Sequence, residues 1–491
     1  MGLVTPTEPV PLAELGRVHF AGIGGAGMSG IARIMLARGV TVSGSDSAAS
    51  TTLTELAKLG ATVYTGHAAG QLGAADTLVI STAIRQDNPE LVEARRRGIR
   101  ILHRAAALAS LMEGRRVIAV AGTHGKTTTT SMITTILLET GADPTYAIGG
   151  VLAATGTGAA DGTGPDFVAE ADESDGSFLM YAPDVAIITN VEADHLDNYG
   201  TAEAYSASFD AFVAKIKPGG VLVTSLDEPG TRDLAKRAAD RGLRVVSYGE
   251  SPDADYHLSG LRLHGMETSC TISRPEPASS GIELRLFVPG KHNALNAAAA
   301  VAAAAELGIP LSQASDALTR YRGAARRLEP KGEAGGVRVL DSYAHHPTEV
   351  ATDLRAAREI VGRGGRVIAV FQPHLYSRTR IFAAEFGLAL GLADVAVVLD
   401  VYAAREDPEP GVTGKLVADA VSGHAAPARY VPVFADVPQA VAALAEPGDL
   451  VLTMGAGDVT TLGPLVLDEL AAASASGPPE PPGPAAATGR P

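Results

Sequence analysis

The run Arg116-Val117-Ile118-Ala119-Val120-Ala121 leads directly into Gly122-Thr123-His124-Gly125-Lys126-Thr127, and a helical pattern continues from Thr127 to Leu138. A strand, a glycine-rich turn and a helix in this order form a βα unit, which belongs in a mainly parallel sheet covered by helices. The turn also carries chemistry. Its backbone N–H groups and the start of the helix point at phosphate oxygens. Lys126 is positioned to neutralise the β- and γ-phosphates of a nucleoside triphosphate, and Thr127 to hold Mg2+ through its hydroxyl. The loop is shorter than the general G-x-x-x-x-G-K-[ST] pattern, with Val120 where the first glycine would stand.

Related units lie on both sides. Upstream, Val18-His19-Phe20 reads as a strand, Gly22 to Gly27 as a turn, Met28 to Arg38 as a helix, and Val40 to Ser43 and Thr77 to Ile80 as further strands. The turn Gly22-Ile23-Gly24-Gly25-Ala26-Gly27 satisfies G-x-G-x-x-G, and Asp46 follows nineteen residues after Gly27, where a Rossmann fold places its ribose carboxylate. Physically this reports a diphosphate at a helix N-terminus; a nicotinamide or flavin dehydrogenase is the default meaning of the motif, and a ligand-free tight turn is the plain alternative. Within the middle block, strands are expected at Phe167 to Ala169, Val185 to Ile188 and Gly220 to Val223, with a small antiparallel portion in Thr268 to Val288 and an alanine-rich helix from Ala294 to Leu307. A second doubly wound pattern begins near Gly335, with strands at Val337 to Leu340, Val367 to Val370, Val395 to Val398 and Leu450 to Thr453. At roughly 150 residues per domain, 491 residues suggest three α/β domains.

Two acidic clusters follow strands of the middle block: Glu170-Ala171-Asp172-Glu173-Ser174-Asp175, and Thr189-Asn190-Val191-Glu192-Ala193-Asp194-His195-Leu196-Asp197. Both lie at carboxyl ends of strands, where α/β sheets bind ligands. Carboxylates and an imidazole converging there suit Mg2+ beside a triphosphate, although either cluster alone also reads as a solvated loop. In the third block, Asp341-Ser342-Tyr343-Ala344-His345-His346-Pro347 and Phe371-Gln372-Pro373-His374-Leu375-Tyr376-Ser377-Arg378-Thr379-Arg380 each follow a strand. Arg378 and Arg380 are expected to clamp a carboxylate.

Charge and composition exclude other classes. A formal charge of −15 argues against a nucleic-acid polymer as the main partner. No apolar run reaches the roughly 20 residues that span a bilayer, and Met1 to Pro11 lacks the pattern of a signal peptide. The single cysteine, Cys270, forbids an intramolecular disulfide and suits a reducing compartment. The expectation is a cytoplasmic protein without membrane insertion.

Gly122 to Thr128, Thr189-Asn190 with Asp194-His195-Leu196-Asp197, and Lys291-His292-Asn293-Ala294-Leu295-Asn296 occur in that order. Together with Gly22 to Gly30, Tyr343 to Pro347 and Phe371 to His374, they resemble the Mur ligases of peptidoglycan synthesis over about residues 17 to 465. The resemblance implies a UDP-sugar-binding Rossmann-like domain over 1–114, a central P-loop ATPase-type domain over 115–328, a Rossmann-like amino-acid-binding domain over 329–470 and a disordered tail over 471–491. It implies ATP and Mg2+ as cofactors, UDP-N-acetylmuramate and L-alanine as substrates, and a monomer or homodimer. Gly122, Thr123, Gly125, Lys126, Thr127, Thr128, Asn293, Asn296, Arg327 and Asp341 match ATP contacts. Thr127, Glu173 and His195 match metal contacts. Gly22, Gly24, Gly25, Gly27, Met28, Ser29, Asp46, Ser81, Thr82 and His124 match the UDP-sugar side. His346, Arg378 and Arg380 match the end that receives the amino acid and the muramoyl carboxylate. Lys126, Glu173, His195, Arg327 and His346 are then the catalytic set, with His346 either base or substrate-positioning group, and closure of the third domain assembling the site.

The chain also departs from the pattern. No lysine lies between His195 and Lys215, so the carbamylated lysine of several relatives is not expected; Ser342 stands where a second Asp is expected, and Leu375 where an Arg is common. The rival readings are a ligase of the same family joining another amino acid or a tripeptide, a nicotinamide-dependent oxidoreductase, and a non-catalytic nucleotide-binding protein.

Overall fold

Strand-forming runs buried on both faces, separated by helix-length stretches, build three sheets in the computed structural model, which describes residues 3–274, 281–362, 364–404, 406–425 and 427–475. The first sheet contains β1 (Val18–Ala21), β2 (Val42–Asp46), β3 (Thr62–Thr65), β4 (Thr77–Ile80) and β5 (Arg100–His103), all parallel, in the order β3-β2-β1-β4-β5. Strand order reverses between β1 and β4, and the crevice beyond their carboxyl ends is where such sheets bind ligands. The turn after β1 and Ser81 after β4 both face that crevice.

The second sheet has ten strands: β6 (Arg116–Ala121), β7 (Thr145–Leu152), β8 (Thr157–Ala160), β9 (Asp166–Glu170), β10 (Val185–Ile188), β11 (Val221–Ser225), β12 (Arg244–Gly249), β13 (Tyr256–His264), β14 (Glu267–Ser273) and β15 (Ile282–Leu286). Their order is β15-β14-β13-β12-β11-β10-β6-β9-β7-β8, antiparallel only at β7–β8 and from β13 to β15. Because β6 lies between the parallel strands β9 and β10, the segments that follow all three emerge at one sheet edge. Helix Lys126–Glu139 covers this sheet with helix Lys291–Glu306, whose residues Ala297 to Ala304 are fully buried beside Ile133, Ile136 and Leu137. Cys270 on β14 is buried, which pushes its thiol up to about 12 and makes it a packing residue.

The third sheet contains β16 (Glu329–Ala334), β17 (Val337–Ser342), β18 (Val367–Phe371), β19 (Val395–Val398), β20 (Arg429–Tyr430) and β21 (Leu450–Met454), in the order β16-β17-β21-β18-β19-β20. The chain divides into two compact units, Met1–Ala325 with the first two sheets and Arg326–Pro491 with the third. The final helix continues to Ala475, five residues into the stretch expected to be disordered; the remainder of that stretch lies outside the described residues. Among the described residues, no helix is long and apolar enough to cross a membrane.

The first sheet also encloses a polar network that sequence patterning does not reveal. The Glu90 side chain is fully buried, accepts a hydrogen bond from Ser45 Oγ at 2.7 Å, and lies 3.5 Å from His19 Nε2 and 3.3 Å from His67 Nδ1. Burial works against its charge, but His19, Ser45 and His67 outweigh it and hold the carboxyl below its ordinary 4.5. A lowered folded value contributes stability that is present above the unfolded pKa and is lost as pH falls through the folded one. Glu90→Gln should therefore lower Tm most at pH 7, by the equivalent of about 3 kcal/mol, with the difference from wild type shrinking below about pH 4.5. A difference in Tm independent of pH between 7 and 3 would contradict this.

Candidate active site

Lys126 opens its helix from the left-handed Gly125 (φ 78°) and folds back over its own loop. Its Nζ donates to the carbonyls of Gly122 (2.6 Å) and Thr123 (3.0 Å) and to Glu173 Oε1 (3.0 Å), and lies 2.9 Å from Glu173 Oε2. Glu173, three residues beyond β9, is fully buried. Burial pushes its carboxyl up to about 7 against the pull of Lys126, whereas burial of Lys126 is outweighed by Glu173, Asp172 and Glu170, which leave the ammonium above its ordinary value. Lys126 therefore keeps its proton, and Glu173 is the member of the pair that loses charge first.

Segments after β10 complete the cluster. His195, at φ 52°, places Nε2 at 3.6 Å from both Glu173 Oε1 and Asp194 Oδ2. Backbone strain of this kind in a non-glycine residue persists where the surroundings over-determine it. Tyr205 OH bridges Thr123 Oγ1 (3.0 Å) and Glu173 Oε1 (3.4 Å). Asn190 Oδ1 accepts from His124 N–H at 2.8 Å, and Thr189 Oγ1 donates to His124 O at 2.5 Å, which pins the loop from behind. The fully buried Glu173 Oε2 accepts no hydrogen bond although it is charge-paired with Lys126. That carboxylate oxygen, with His195 Nε2 and the Thr127 hydroxyl, is a donor set suited to Mg2+.

Asn296, on helix Lys291–Glu306, lies directly against the loop: a Cβ on Gly125 would meet Asn296 Oδ1 at 2.6 Å. Asn293 spends its amide on Pro289 O at 2.7 Å. Gly125→Ala would add this clash to an unfavourable positive φ. It should reduce ATP affinity at least about tenfold and cost about 2–3 kcal/mol. Gly141→Ala, at φ 77° with open space around its Cβ, should cost only about 1–2 kcal/mol and leave ATP affinity unchanged. Isothermal titration and thermal melts of both variants check the pair; equal effects on ATP affinity would contradict the assignment.

A cavity of about 310 Å3 opens at the switch point of the first sheet. It is lined by Gly25, Gly27 and Met28 at the start of helix Ala26–Ala37, by Ser81, and across from them by Gly149, Glu170 and Asp172. Asp46 ends β2 as expected and accepts from Gly24 N–H at 2.9 Å, holding the glycine turn. Ser29 lies one residue beyond Met28 in the same helix and bonds back to Ala26 O at 3.1 Å. Arg104, which no sequence pattern singled out, also lines this cavity and pairs with Asp172 at 2.6 Å.

The second unit carries the remaining expected residues. Asp341 is fully buried, accepting from Thr453 Oγ1 and Thr460 Oγ1 at 2.7 Å each and pairing with Arg326 Nε at 3.2 Å. It thus anchors Arg326 within this unit. Arg378 and Arg380 do not form one clamp, because residues two apart on a helix diverge. Arg378 is buried, and Arg380 is exposed and paired with Glu409 at 3.0 Å. His346 caps helix Pro347–Val361, its Nδ1 accepting from Thr348 N–H at 3.4 Å, so the neutral ring carries its proton on Nε2. Arg327 lies over the Tyr343 ring at 5.1 Å. Ser342, where a second Asp was expected, donates to the half-buried Asp353, whose carboxyl is pushed up to about 7 by the desolvation around it.

Comparison with known proteins bears on the same three regions. Family models match at residues 17–116 (Mur ligase family, catalytic domain), 120–304 (Mur ligase middle domain) and 326–457 (Mur ligase, glutamate ligase domain). A UDP-N-acetylmuramate–L-alanine ligase of Thermobifida fusca (strain YX) is 56% identical over 477 residues, 96% of this chain and 100% of that protein. This chain belongs to the Mur ligase family. A second relative with the same designation, from Kineococcus radiotolerans, is 58% identical over 94% of this chain and 97% of its own length. Among solved structures, the UDP-N-acetylmuramate-alanine ligase of Thermotoga maritima is 29% identical, with a TM-score of 0.78 over 93% of this chain and 99% of that one. The murein peptide ligase of Psychrobacter arcticus 273-4 is 26% identical, with a TM-score of 0.69 over the same shares. Two ligases with different acceptors therefore share the fold of this Mur ligase, and fold alone does not choose between them.

Proposed function

We propose that this Mur ligase joins L-alanine to the lactyl carboxylate of UDP-N-acetylmuramate, driven by ATP. The observation that carries this reading is the convergence of Lys126, Glu173 and His195 at one sheet edge, in the same unit as a separate cavity that opens at a glycine-rich helix start. The agreement of relatives above 50% identity over nearly the whole chain selects the alanine-adding branch over the peptide-adding one.

In this reading the helix start at Gly25 to Met28 takes the sugar nucleotide's diphosphate, and the loop Gly122 to Thr128 takes the triphosphate of ATP. Glu173, His195 and Thr127 would hold Mg2+, which supplies charge neutralisation on the phosphate oxygens. Nucleotide phosphates offer Lys126 an alternative to Glu173, so binding frees the Glu173 carboxylate for the cation. A lactyl carboxylate oxygen attacks the γ-phosphorus, ADP leaves, and an acyl phosphate forms. The neutral amine of L-alanine then attacks the acyl carbon, and the tetrahedral intermediate expels inorganic phosphate with the original carboxylate oxygen. Lys126 and Arg327 are the protein cations assigned to the charge that spreads in the first step. His346, with Nε2 a donor, is assigned to holding a carboxylate rather than to accepting the amine proton.

UDP-N-acetylmuramate labelled with 18O in its carboxylate tests the sequence of steps. One labelled oxygen should appear in the phosphate released per turnover, read by mass spectrometry. Unlabelled phosphate would rule out the acyl phosphate.

A further inference from the structure

His103 and Arg104 are adjacent residues where β5 passes into helix Arg104–Leu111, and they reach both ends of the loop that carries Glu173. Arg104 Nη2 donates to Asp172 Oδ2 at 2.6 Å, and His103 Nε2 lies 3.6 Å from Asp175 Oδ2. Asp172 is divided between two partners: its other oxygen, Oδ1, accepts the backbone N–H of Ser174 at 3.0 Å, on the far side of Glu173. The other terminal nitrogen of the Arg104 guanidinium lies against the start of helix Ala26–Ala37, with Nη1 3.2 Å from where a Cβ of Gly27 would stand. One guanidinium thus touches the wall of the sugar-nucleotide cavity on one side and the metal-side carboxylate loop on the other.

We propose that Arg104 and Asp172 form a positioning relay through which a diphosphate bound at Gly25 to Gly27 sets the loop that presents Glu173 to the ATP site. This rests on the functional reading above. Among the described residues Asp172 accepts the hydrogen bond of Arg104 Nη2; a diphosphate at Gly25 to Gly27 would engage Nη1. The guanidinium is then fixed at both ends, Asp172 is fixed in turn, and the Asp172–Ser174 turn holds Glu173 in the place where the nucleotide's cation needs it. Each substrate consequently tightens the other, reciprocally.

Isothermal titration of the full chain with a non-hydrolysable ATP analogue and Mg2+, with and without saturating UDP-N-acetylmuramate, tests this. Wild type should bind the analogue at least about fivefold more tightly when the sugar nucleotide is present. In Asp172→Asn, whose own sugar-nucleotide affinity is titrated separately, the tightening should fall below about twofold. Arg104→Lys leaves the acidic loop untouched and replaces the planar fork by a point charge, so the tightening should fall below about twofold there too. Arg104→Ala should weaken the sugar nucleotide more than about tenfold, and the double variant with Asp172→Asn should lose no further tightening. Undiminished tightening in either Asp172→Asn or Arg104→Lys overturns the relay, as does its absence in wild type. Failure of wild type to bind UDP-N-acetylmuramate at all would instead overturn the functional reading.

Discussion

Lys126→Ala should reduce ATP-dependent phosphate release by about a thousandfold or more while leaving UDP-N-acetylmuramate affinity within about threefold. The first effect follows because the ammonium is the cation the loop aims at the phosphates, held by two loop carbonyls and Glu173. The second follows because the cavity at Gly25 to Met28 is lined by Arg104, Ser81 and the helix start, not by Lys126. Removing Lys126 also takes away the charge that pulls against burial at Glu173, so that carboxyl should take up a proton at neutral pH, and the destabilisation should grow towards about 3–5 kcal/mol only as pH rises. Melting curves with and without UDP-N-acetylmuramate separate this stability effect from catalysis. Equal loss of turnover and sugar-nucleotide binding in a folded variant would contradict the division of labour between the two sites.

Glu173→Gln should be nearly as severe, for a different reason. It keeps the shape of the side chain and removes the charge that meets the cation. The Mg2+ concentration for half-maximal activity should rise on the order of 10- to 100-fold, and kcat should remain depressed at saturating Mg2+ by about a hundredfold. His195→Ala removes a neutral donor and should raise the Mg2+ requirement by only about tenfold, with kcat largely recovered at high Mg2+. Titrations of rate against Mg2+ for the two variants distinguish charge from mere coordination. Identical profiles would contradict separate roles for Glu173 and His195.

Much of this architecture is legible in the chain wherever a strand is buried on both faces. Thr77–Ile80, Arg116–Ala121, Val185–Ile188 and Val395–Val398 coincide with their apolar runs, because parallel central strands read as continuous hydrophobic stretches. Strands without such runs escape. Thr62–Thr65 lies at a sheet edge, while Thr145–Leu152 and Thr157–Ala160 are rich in Gly, Thr and Ala. Strand Val42–Asp46 starts two residues and ends three residues beyond the run Val40 to Ser43: the helix before it ends in a turn that uses Val40, and Gly44 is needed where Ile23 crosses, a Cβ there meeting Ile23 Cβ at 2.7 Å.

The site divides the same way. Lys126, Glu173 and His195 follow central strands directly, so knowing the strands is enough to bring them to one edge. Arg104 and Asp172 are 68 residues apart and meet only because helix Arg104–Leu111 packs beside the acidic loop. Nothing local in Arg104 marks it. Asp341 shows the converse, since its residue type and its place near a strand end do not reveal that three donors enclose it.

In the proposed reaction one triphosphate loop activates a muramoyl carboxylate for attack by alanine. Phosphate release from ATP and Mg2+, measured with UDP-N-acetylmuramate and, in separate reactions, L-alanine, glycine, L-serine or a tripeptide, tests it most directly. Release that requires the sugar nucleotide and is fastest with L-alanine, with a stoichiometric amide product, is the expected result. No release with any of the three amino acids, or release that depends on the tripeptide, would contradict it.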